Sequence, residues 1–287
     1  MKKIILAPNP YRDKTFQTVR SAEKILKDSG FEVRICLPFE VEKPYELPRD
    51  IFLSKLEREL PDAYMVICFG GDGTILHMAK AVTKYDIPIL GVNIGTMGFM
   101  AELESTELSM LSRLAYEDFV VDNRMMLDVS VYRGRDILYH SVALNDAVIT
   151  KGAVARIVPL TVKCDDVEAL QFGGDGVVVS TPTGSTAYNL SAGGPLVEPD
   201  SSNILVTPIC AHNLSARGFV ATDKRVISVS LTENARRNAY LSVDGGKAFR
   251  LNVGDVTVIK KSQRITRLVR LKERSFYDVV STKFHNN

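Results

Sequence analysis

The sequence of 287 residues lacks the features that mark membrane, secreted and repetitive proteins. No apolar run approaches the ~20 residues of a membrane-spanning helix, and the apolar stretch at residues 4–7 is far shorter than the core of a signal peptide. There is no internal repeat and no low-complexity tract. We therefore expect a cytoplasmic globular protein without a membrane partner.

An excess of one charge is also absent. The chain has 36 Lys and Arg residues against 34 Asp and Glu residues, for a formal net charge of +2. Proteins that bind nucleic acids or membrane surfaces usually carry a marked basic excess. The balance favours a compact or locally charged ligand and predicts no nucleic-acid partner.

Cysteine and histidine are few and scattered. The four cysteines form no C-x-x-C pair, and we interpret them as reduced core residues. No H-E-x-x-H motif and no Cys/His ligand spacing is present, so the sequence predicts no metal site. The Walker loop, the G-x-G-x-x-G fingerprint after the first strand and the protein-kinase motifs are missing as well. A nucleotide would have to be held in another way.

The composition that is present, 45% hydrophobic and 24% charged, is that of a soluble globular protein, and the length allows two domains. Residues 1–118 alternate short apolar runs with segments of helical period. This rhythm predicts an open α/β domain with a mostly parallel sheet. Strands are predicted at 3–7, 31–37, 63–69 and 87–92, and helices at 16–30, 51–60, 74–84 and 107–116.

From residue 119 the pattern changes to alternating strand-like runs, such as 127–132 and 226–231, separated by turn signals. They predict an all-β domain over 119–262, a sandwich or a related layered sheet. Residues 260–274 carry seven basic residues and one acid. A nucleic-acid patch is one interpretation of this segment; its evenly spaced apolar residues favour the other, a strand with one solvated basic face.

The first candidate motif, Gly70-Gly71-Asp72-Gly73, lies directly after the predicted strand at 63–69 and before a predicted helix. Glycines let backbone N–H groups approach phosphate oxygens closely, and the helix N-terminus adds partial positive charge. Asp72 would meet a bound hydroxyl where the phosphate arrives and could accept its proton. The alternative interpretation is a glycine-rich turn in which Asp72 caps the helix.

The second candidate motif runs from Gly174 to Pro195 and is rich in glycine and hydroxyl side chains. A strand delivers a turn that supplies small hydrogen-bond donors and close backbone approach, as a sugar or phosphate requires. By composition alone, the segment could also be a long surface loop.

Taken together, these motifs resemble those of the NAD kinases. Gly70–Thr74 resembles the family's first motif, which lipid kinases and phosphofructokinases share, and Gly174–Pro195 resembles its second, which singles out NAD kinases. Asn145-Asp146 stands where the family has an Asn-Glu pair, and Asn93–Phe99 is similar to its segment after the fourth strand. The resemblance extends over nearly the whole chain.

The resemblance implies a fold and a reaction. The fold is a phosphofructokinase/diacylglycerol-kinase-like parallel α/β domain at 1–118, an all-β NAD-binding sandwich at 119–262, and a C-terminal segment, 263–287, that returns to the first domain. The reaction phosphorylates the adenosine 2′-hydroxyl of NAD with ATP or polyphosphate to give NADP. A divalent cation, Mg²⁺ or Mn²⁺, would arrive with the phosphoryl donor, and the chain would form a homodimer or homotetramer.

The resemblance also implies roles for single residues. Asp72 would be the general base, Asn145 would bind the adenosine portion of NAD, and Asp175 would bind its nicotinamide side. His77 and Arg156 match basic positions of the family; the alternatives are an exposed helix residue and a solvated strand-edge charge. Gly70, Gly71 and Gly73 would form the phosphate loop. The implied NAD-binding residues are Asp72, Gly73, His77, Asn145, Asp146, Arg156, Asp175, Thr183, Thr186, Ala187, Tyr188, Asn189, Leu190 and Ser191.

Three positions depart from the family's pattern. Asp146 replaces the usual Glu, Gly173 stands where many members have Arg, and Gly246 occupies a position that is frequently Gln. The loss of a cation at Gly173 and of a polar contact at Gly246 motivates one alternative, an NAD(P)-binding sensor without turnover. The other alternative is a lipid or small-molecule kinase that shares only the first loop.

Overall fold

The computed structural model divides the chain into two units. Unit 1 comprises residues 1–123 and 266–287, and unit 2 comprises residues 124–265. The described residues are 1–41, 47–48, 50–96, 98–152, 157–213, 215–232 and 238–285. Among them, no helix is both long and apolar enough to span a membrane.

Unit 1 is built on a parallel sheet. Its strands are β1 (Lys3–Pro8), β2 (Glu32–Ile35), β3 (Ala63–Gly70), β4 (Ile89–Asn93) and β5 (Leu103–Glu104). They run in the order β4–β3–β1–β2, with β5 beside β4 and every pair parallel. The direction of winding reverses between β1 and β3, so the loops after these strands flank a crevice at the carboxyl edge of the sheet.

The helices of unit 1 follow the apolar periodicity of the sequence in most places. They are α1 (Gln17–Asp28), α2 (Leu56–Glu59) and α3 (Asp72–Val82), with 3-10 helices at Leu60–Asp62 and Leu108–Tyr116. The helix predicted at 51–60 is wrong over its first half. Leu53 pairs with Ile35 instead, and Ser54 N donates to the Ile35 carbonyl at 2.9 Å. This pairing with the edge strand satisfies backbone groups that a helix would have satisfied internally.

Unit 2 is a sandwich of antiparallel strands with a short 3-10 helix and a short α-helix, and the last helix of the chain belongs to unit 1. The elements from residue 120 onward are β6 (Val120–Arg133), β7 (Asp136–Ala143), β8 (Asp146–Lys151), β9 (Val158–Cys164), β10 (Val167–Gly174), β11 (Gly176–Ser180), a 3-10 helix (Thr183–Thr186), α4 (Tyr188–Ser191), β12 (Asn203–Ile209), β13 (Phe219–Thr222), β14 (Ile227–Leu231), β15 (Ala239–Val243), β16 (Phe249–Leu251), β17 (Asp255–Arg270) and α5 (Phe276–His285).

One sheet of unit 2 has the order β13–β12–β11–β8–β15–β16, and the other contains β10–β9–β14–β17 with the β6–β7 hairpin. A single core takes side chains from both sheets, among them Val129 of β6, Val162 of β9, Val179 of β11 and Leu241 of β15. The predicted combination of an α/β domain and an all-β sandwich is therefore confirmed. The boundaries between the units fall inside β6 and β17.

The C-terminal residues belong to unit 1. Leu268, near the end of β17, pairs in parallel with Ile89 of β4. Beyond the strand, the Glu102 carboxylate accepts hydrogen bonds from the backbone N–H groups of Leu271 and Lys272, at 2.8 and 2.7 Å. The prediction of a strand for the basic segment is confirmed through Arg270.

The four cysteines are free but differ in burial. Cys36 and Cys68 are buried in unit 1, as predicted. Cys164 is half-buried and Cys210 is exposed, so the prediction of a core position is wrong for Cys210. Cys210 directly follows β12 in a left-handed backbone conformation, φ +46°, where the chain leaves the sheet.

Candidate functional site

The glycine-rich loop Gly70–Gly73 joins β3 to α3 at the crevice of unit 1. Gly70 is required for packing, because a Cβ there would overlap Thr74 Oγ1 and lie 3.1 Å from Asn9 Cβ. A Cβ on Gly71 or Gly73 would meet nothing within 4 Å, so open space lies beside both. The start of α3 therefore offers uncovered backbone next to a helix N-terminus, which is the condition for phosphate binding.

Asp72 is held by the loop that follows β4. Its half-buried carboxylate accepts hydrogen bonds from Phe99 N at 2.8 Å and from Met100 N at 3.1 Å. A Cβ on Gly98 would overlap the same carboxylate, so only glycine allows this close approach. Asp72 makes no capping hydrogen bond to α3, and the interpretation as a helix cap is wrong. A carboxylate has about four acceptor sites, so these two bonds leave acceptor capacity for a ligand hydroxyl.

Asn9, which the sequence did not single out, ties the loop after β1 to the glycine-rich loop. Its amide Nδ2 donates to Thr74 Oγ1 at 3.2 Å, and its Oδ1 accepts from Tyr11 N at 3.0 Å. The only local signal is an Asn-Pro dipeptide at the end of a strand. The partner residue is 65 positions away in the sequence, which is why local pattern reasoning did not find it.

Asn93 and His77 take different positions around this loop. Asn93 is buried at the end of β4, where its Nδ2 donates to Glu104 Oε2 at 2.9 Å. Its Oδ1 has no hydrogen-bond partner among the described residues. His77 is exposed on α3, and its ring lies 5.2 Å from the ring of Phe39. A contact between His77 and a ligand stays a prediction.

In unit 2, the carboxylate of Asp244 holds the Asn145-Asp146 pair. It accepts hydrogen bonds from three consecutive backbone N–H groups, those of Leu144, Asn145 and Asp146, at 2.9, 2.8 and 3.1 Å. Asp244 lies in the Asp-Gly turn after β15 with φ +49°. Sequence reasoning passed over Asp244 because an Asp-Gly pair reads as an ordinary turn signal.

The Asn145 side chain has an unmet hydrogen-bonding need. The residue is 8% exposed, and its Oδ1 is buried without a partner among the described residues. An unpaired buried amide oxygen costs about 1–3 kcal/mol, so a donor group that a ligand places there would bind favourably. This orphaned acceptor is compatible with the adenosine contact that the resemblance implies.

The turn that follows β11 packs against the backbone of Asn145. The Asn145 carbonyl oxygen accepts hydrogen bonds from Thr181 N at 2.8 Å and from Ser180 Oγ at 3.1 Å. A Cβ on Gly184 would overlap this oxygen, which makes glycine necessary there. The interpretation of the second motif as a surface loop is wrong for residues 176–185, which are buried.

Asn189 holds the far side of the same turn. Its Nδ2 donates to the carbonyls of Ser185 and Pro195 at 3.3 and 3.0 Å, and its Oδ1 accepts from Thr207 Oγ1 at 2.7 Å. The side chain is fully buried. Asn189 therefore positions the turn, and its contact with NAD stays a prediction.

The other predicted residues of this turn differ in exposure. Thr183 is buried, and its hydroxyl oxygen accepts from Arg124 Nη1 at 3.3 Å. The half-buried or exposed residues, which a ligand could reach, are Thr186, Ala187, Tyr188, Leu190 and Ser191. Their contact with NAD stays a prediction.

A cavity of about 380 Å³ lies beside the turn in unit 2. Its lining includes Gly193, Thr207, Asn213 and Arg217. Within the part of the chain that the structure describes, none of the residues implied to bind NAD lines this cavity. The cavity is therefore not the predicted site.

Asp175 lies between β10 and β11 in unit 2. Its carboxylate accepts from Lys151 Nζ at 2.6 Å, with both side chains about one third exposed or less. The glycines on either side pack against backbone, and a Cβ on Gly176 would overlap the Ile149 carbonyl oxygen. Lys151 thus neutralises a carboxylate that the resemblance assigns to the nicotinamide side.

The remaining predicted positions carry less structural information. A Cβ on Gly173 would lie 3.0 Å from Ile157 Cδ1, the flexible end of a side chain. Gly246 is exposed, and its carbonyl accepts from Ser242 Oγ at 2.9 Å. Arg156 lies outside the described residues.

Over the described ranges, no group of three or more His, Cys, Asp or Glu side chains is placed to hold a metal ion.

An α/β unit with a glycine-rich loop and a carboxylate at a helix N-terminus, followed by a β-sandwich with a second glycine-rich turn, is the combination that the resemblance to a kinase predicts. Family models agree with this class along the chain. The ATP-NAD kinase N-terminal domain matches residues 4–118, and the ATP-NAD kinase C-terminal domain matches residues 144–271. The chain belongs to the NAD kinase family, and it is an enzyme of the kinase class.

Similar proteins support this assignment over the full length. The NAD kinase of Acetivibrio thermocellus is 37% identical, with 100% of this chain and 98% of the relative covered. The NAD kinase of Lachnoclostridium phytofermentans is 35% identical, with 99% of each covered. Full-length matches decide against a lipid kinase that shares only the first loop.

Two solved structures have a similar fold. The yeast NADH kinase complexed with NADH gives a TM-score of 0.86 at 24% identity, covering 100% of this chain and 88% of that one. The Archaeoglobus fulgidus NAD kinase in complex with ATP gives a TM-score of 0.76 at 26% identity, covering 100% of both chains. Both likenesses support the fold described above.

Proposed function

We propose that this kinase transfers a phosphoryl group from ATP or polyphosphate to the adenosine 2′-hydroxyl of NAD, with Asp72 as the general base. The observation that carries the proposal is the position of Asp72. It lies at the start of α3, beside the open space at Gly71 and Gly73, and its carboxylate is fixed by the N–H groups of Phe99 and Met100. A fixed acceptor beside a phosphate loop orients a hydroxyl for in-line attack.

The proposed step balances with ATP as donor. The 2′-oxygen forms a bond to the γ-phosphorus, and the bond from that phosphorus to the β–γ bridging oxygen breaks. Asp72 accepts the hydroxyl proton, and ADP leaves with the bond's electron pair. The products are NADP, ADP and a proton that Asp72 later releases to water.

The resemblance assigns further contacts to NAD. Gly73 and His77 lie on the first turns of α3, and Asn145 offers its unpartnered Oδ1 to the adenosine portion. Asp175 would bind the nicotinamide side. The further contacts would come from Asp146, Thr183 and the accessible turn residues Thr186, Ala187, Tyr188, Leu190 and Ser191.

The donor would enter as its complex with Mg²⁺ or Mn²⁺. Such hard cations keep several water ligands and bind phosphate oxygens, with one or two protein carboxylates at most. We further propose a cytoplasmic homodimer or homotetramer, which the resemblance supports.

The proposal is tested by NADP formation with the wild type and Asp72→Asn, in the presence of Mg²⁺, ATP and NAD. An amide cannot accept the proton, so we expect kcat to fall by about 10²–10⁴-fold. NAD binding, measured by calorimetry, should stay within a few-fold of the wild type. Asp28→Asn, an exposed carboxylate at the end of α1, serves as the matched control and should leave kcat unchanged.

Two results would overturn the proposal in different ways. An Asp72→Asn enzyme with wild-type kcat would exclude Asp72 as the base. A wild type that is folded and binds NAD but forms no NADP with either donor would replace the kinase by the NAD(P) sensor.

A further inference from the structure

The two backbone hydrogen bonds that hold the Asp72 carboxylate come from one short segment, residues 98–102, which follows β4. Phe99 N donates to one carboxylate oxygen and Met100 N to the other. The position of this segment therefore fixes where the carboxylate lies relative to a bound hydroxyl. Because a shift of about 1 Å in a catalytic group can lower a rate by about 100-fold, the contacts that hold residues 98–102 matter for the reaction.

Residues 268–285, which we call the C-terminal anchor, contact this segment at Met100. Arg270, the last residue of β17, donates from Nη1 to the Met100 carbonyl oxygen at 3.0 Å. Met100 is buried, which limits competition by water for this hydrogen bond. The same residue thus receives a hydrogen bond from Arg270 at its carbonyl and gives one to Asp72 from its amide.

Two carboxylates hold the Arg270 guanidinium in this position. Its Nη1 also donates to Glu102 Oε2, and its Nε and Nη2 donate to Asp122 Oδ2, each at 3.3 Å. The side chain of Arg270 is 19% exposed and that of Glu102 is 6% exposed. A guanidinium presents its N–H groups in a rigid planar fork, so it can bridge three acceptors at once. Glu102 is in turn tied to β4, since its N donates to the Gly91 carbonyl at 2.8 Å.

A second contact from the C-terminal anchor reaches Phe99. Lys283, on α5, places its Nζ 4.2 Å from the centroid of the Phe99 ring. A cation at this distance over an aromatic face is attracted by the ring quadrupole, and both residues are half-buried. The contact restrains the ring of the residue whose N–H group donates to Asp72.

We propose that the C-terminal anchor positions the catalytic carboxylate of Asp72. Arg270 acts through Met100, at one of the two N–H donors. Lys283 acts through Phe99, at the other. Both are positioning residues, since each acts through a neighbour of the carboxylate and neither needs to touch a ligand. This inference rests on the proposed function, in which Asp72 is the general base.

The test measures NADP formation by full-length Arg270→Lys and Lys283→Met enzymes. Removal of the Arg270 charge would leave the buried Glu102 carboxylate unpaired and destabilise the fold, whereas lysine keeps the charge and loses only the planar fork. We expect kcat to fall by about tenfold in Arg270→Lys and by about threefold in Lys283→Met, with the KM values for NAD and ATP within about twofold of the wild type. Lys283→Arg keeps a cation over the ring and should recover most of the kcat that Lys283→Met loses.

Two substitutions outside the anchored segment are matched controls. Arg267→Lys changes an arginine of the same strand, which pairs with Asp86 at 2.7 Å. Lys84→Met removes a cation that lies 4.9 Å from the centroid of the Tyr85 ring. Neither contact involves residues 98–102, so both variants should keep the wild-type kcat.

A double-mutant cycle separates positioning from damage to the fold. If Arg270 acts through the carboxylate, Arg270→Lys lowers kcat no further in an Asp72→Asn background, because the amide cannot accept the proton however it is held. A loss of equal size in both backgrounds would overturn the proposal. An effect on KM without an effect on kcat would overturn it as well.

Hydrogen exchange tests the C-terminal anchor without turnover. We expect a peptide covering residues 98–102 to exchange its amide hydrogens about threefold faster in Arg270→Lys and Lys283→Met than in the wild type, as measured by mass spectrometry. Unchanged exchange in both variants would overturn the proposal. If the wild type forms no NADP, or Asp72→Asn keeps the full kcat, the proposed function fails. The exchange rates then still decide whether the anchor holds the two N–H donors.

Discussion

At the residue scale, the half-buried carboxylate of Asp244 organises the backbone around Asn145. Its two oxygens accept three successive backbone N–H groups, which fixes the peptide of Asn145 and thereby the direction of its side chain. Hydrogen bonds to a charged group contribute about 1.5–3 kcal/mol each at most, and they are directional. We therefore regard Asp244 as a positioning residue for the proposed adenosine contact.

Asp244→Asn tests this role. The amide offers one acceptor oxygen and turns an N–H group toward backbone N–H donors, so we expect the free energy of unfolding to fall by about 1–3 kcal/mol. NAD affinity should fall about tenfold, while the affinity for Mg–ATP stays unchanged. Calorimetry measures the affinities for NAD and for Mg–ATP, and denaturant unfolding measures the free energy of unfolding. Asp136→Asn, an exposed aspartate at the start of β7, is the matched control. Wild-type affinity for NAD in the Asp244 variant would show that Asn145 does not depend on this contact.

At the element scale, an ion pair joins the end of β6 to the start of β17 within unit 2. Arg133 donates from Nε and Nη2 to the two carboxylate oxygens of Asp255, at 2.7 and 3.1 Å. Burial raises the pKa of Asp255, but the hydrogen bonds from Arg133 and from Asn252 N outweigh it and hold the pKa below its ordinary value of 3.8. The ionised form is thus favoured in the folded protein.

This shift predicts a pH dependence of stability. The pKa of Asp255 is lower in the folded chain than in the unfolded chain. The contribution of its carboxylate to the free energy of unfolding is therefore complete at pH values above the unfolded pKa of about 3.9. It is lost as the pH falls through that value toward the folded pKa. We expect Asp255→Asn to lower the free energy of unfolding by about 1–3 kcal/mol at pH 6 and by less at pH 3.5, as measured by urea unfolding. Equal losses at both pH values would assign the contribution to packing instead of charge.

At the scale of the whole molecule, the four cysteines differ in burial, and two of them lie in each unit. Burial raises the pKa of the Cys36 thiol to about 12, with a smaller contribution from the charge of Glu59, and burial alone raises that of Cys68 well above its ordinary value. The thiolate is the reactive form, and it must also be reached by the reagent. Cys210 is the exposed member of the set.

We therefore expect a thiol reagent at pH 8 to modify Cys210 first, Cys164 more slowly, and Cys36 and Cys68 only in denaturant. Peptide mass spectrometry after timed labelling identifies the sites. Cys210→Ser should remove the fast phase and leave the others unchanged. Rapid labelling of Cys68 in the native protein would contradict the burial described for β3.

Local sequence patterns predicted part of the fold of the whole molecule. The unbroken apolar run of β3 and the glycine-rich loop after it predicted a buried strand and a phosphate site, because both depend on neighbours in the sequence. The first half of the helix predicted at 51–60 was wrong, because the backbone of Leu53 found a partner in Ile35. Hydrophobic periodicity cannot reveal a backbone pairing partner that lies far away in the sequence.

By itself, the sequence determined the α/β and all-β units, the two glycine-rich motifs and the resemblance that assigned the family, since periodicity, turn chemistry and motif order are local properties of the chain. Tertiary structure alone decided that Asp72 is held by Phe99 and Met100, that Asp244 holds the Asn145-Asp146 pair, and that Asn9 ties the loop after β1 to Thr74. These contacts join residues that lie far apart in the sequence. Only the packing of strands into sheets brings such residues within hydrogen-bonding distance.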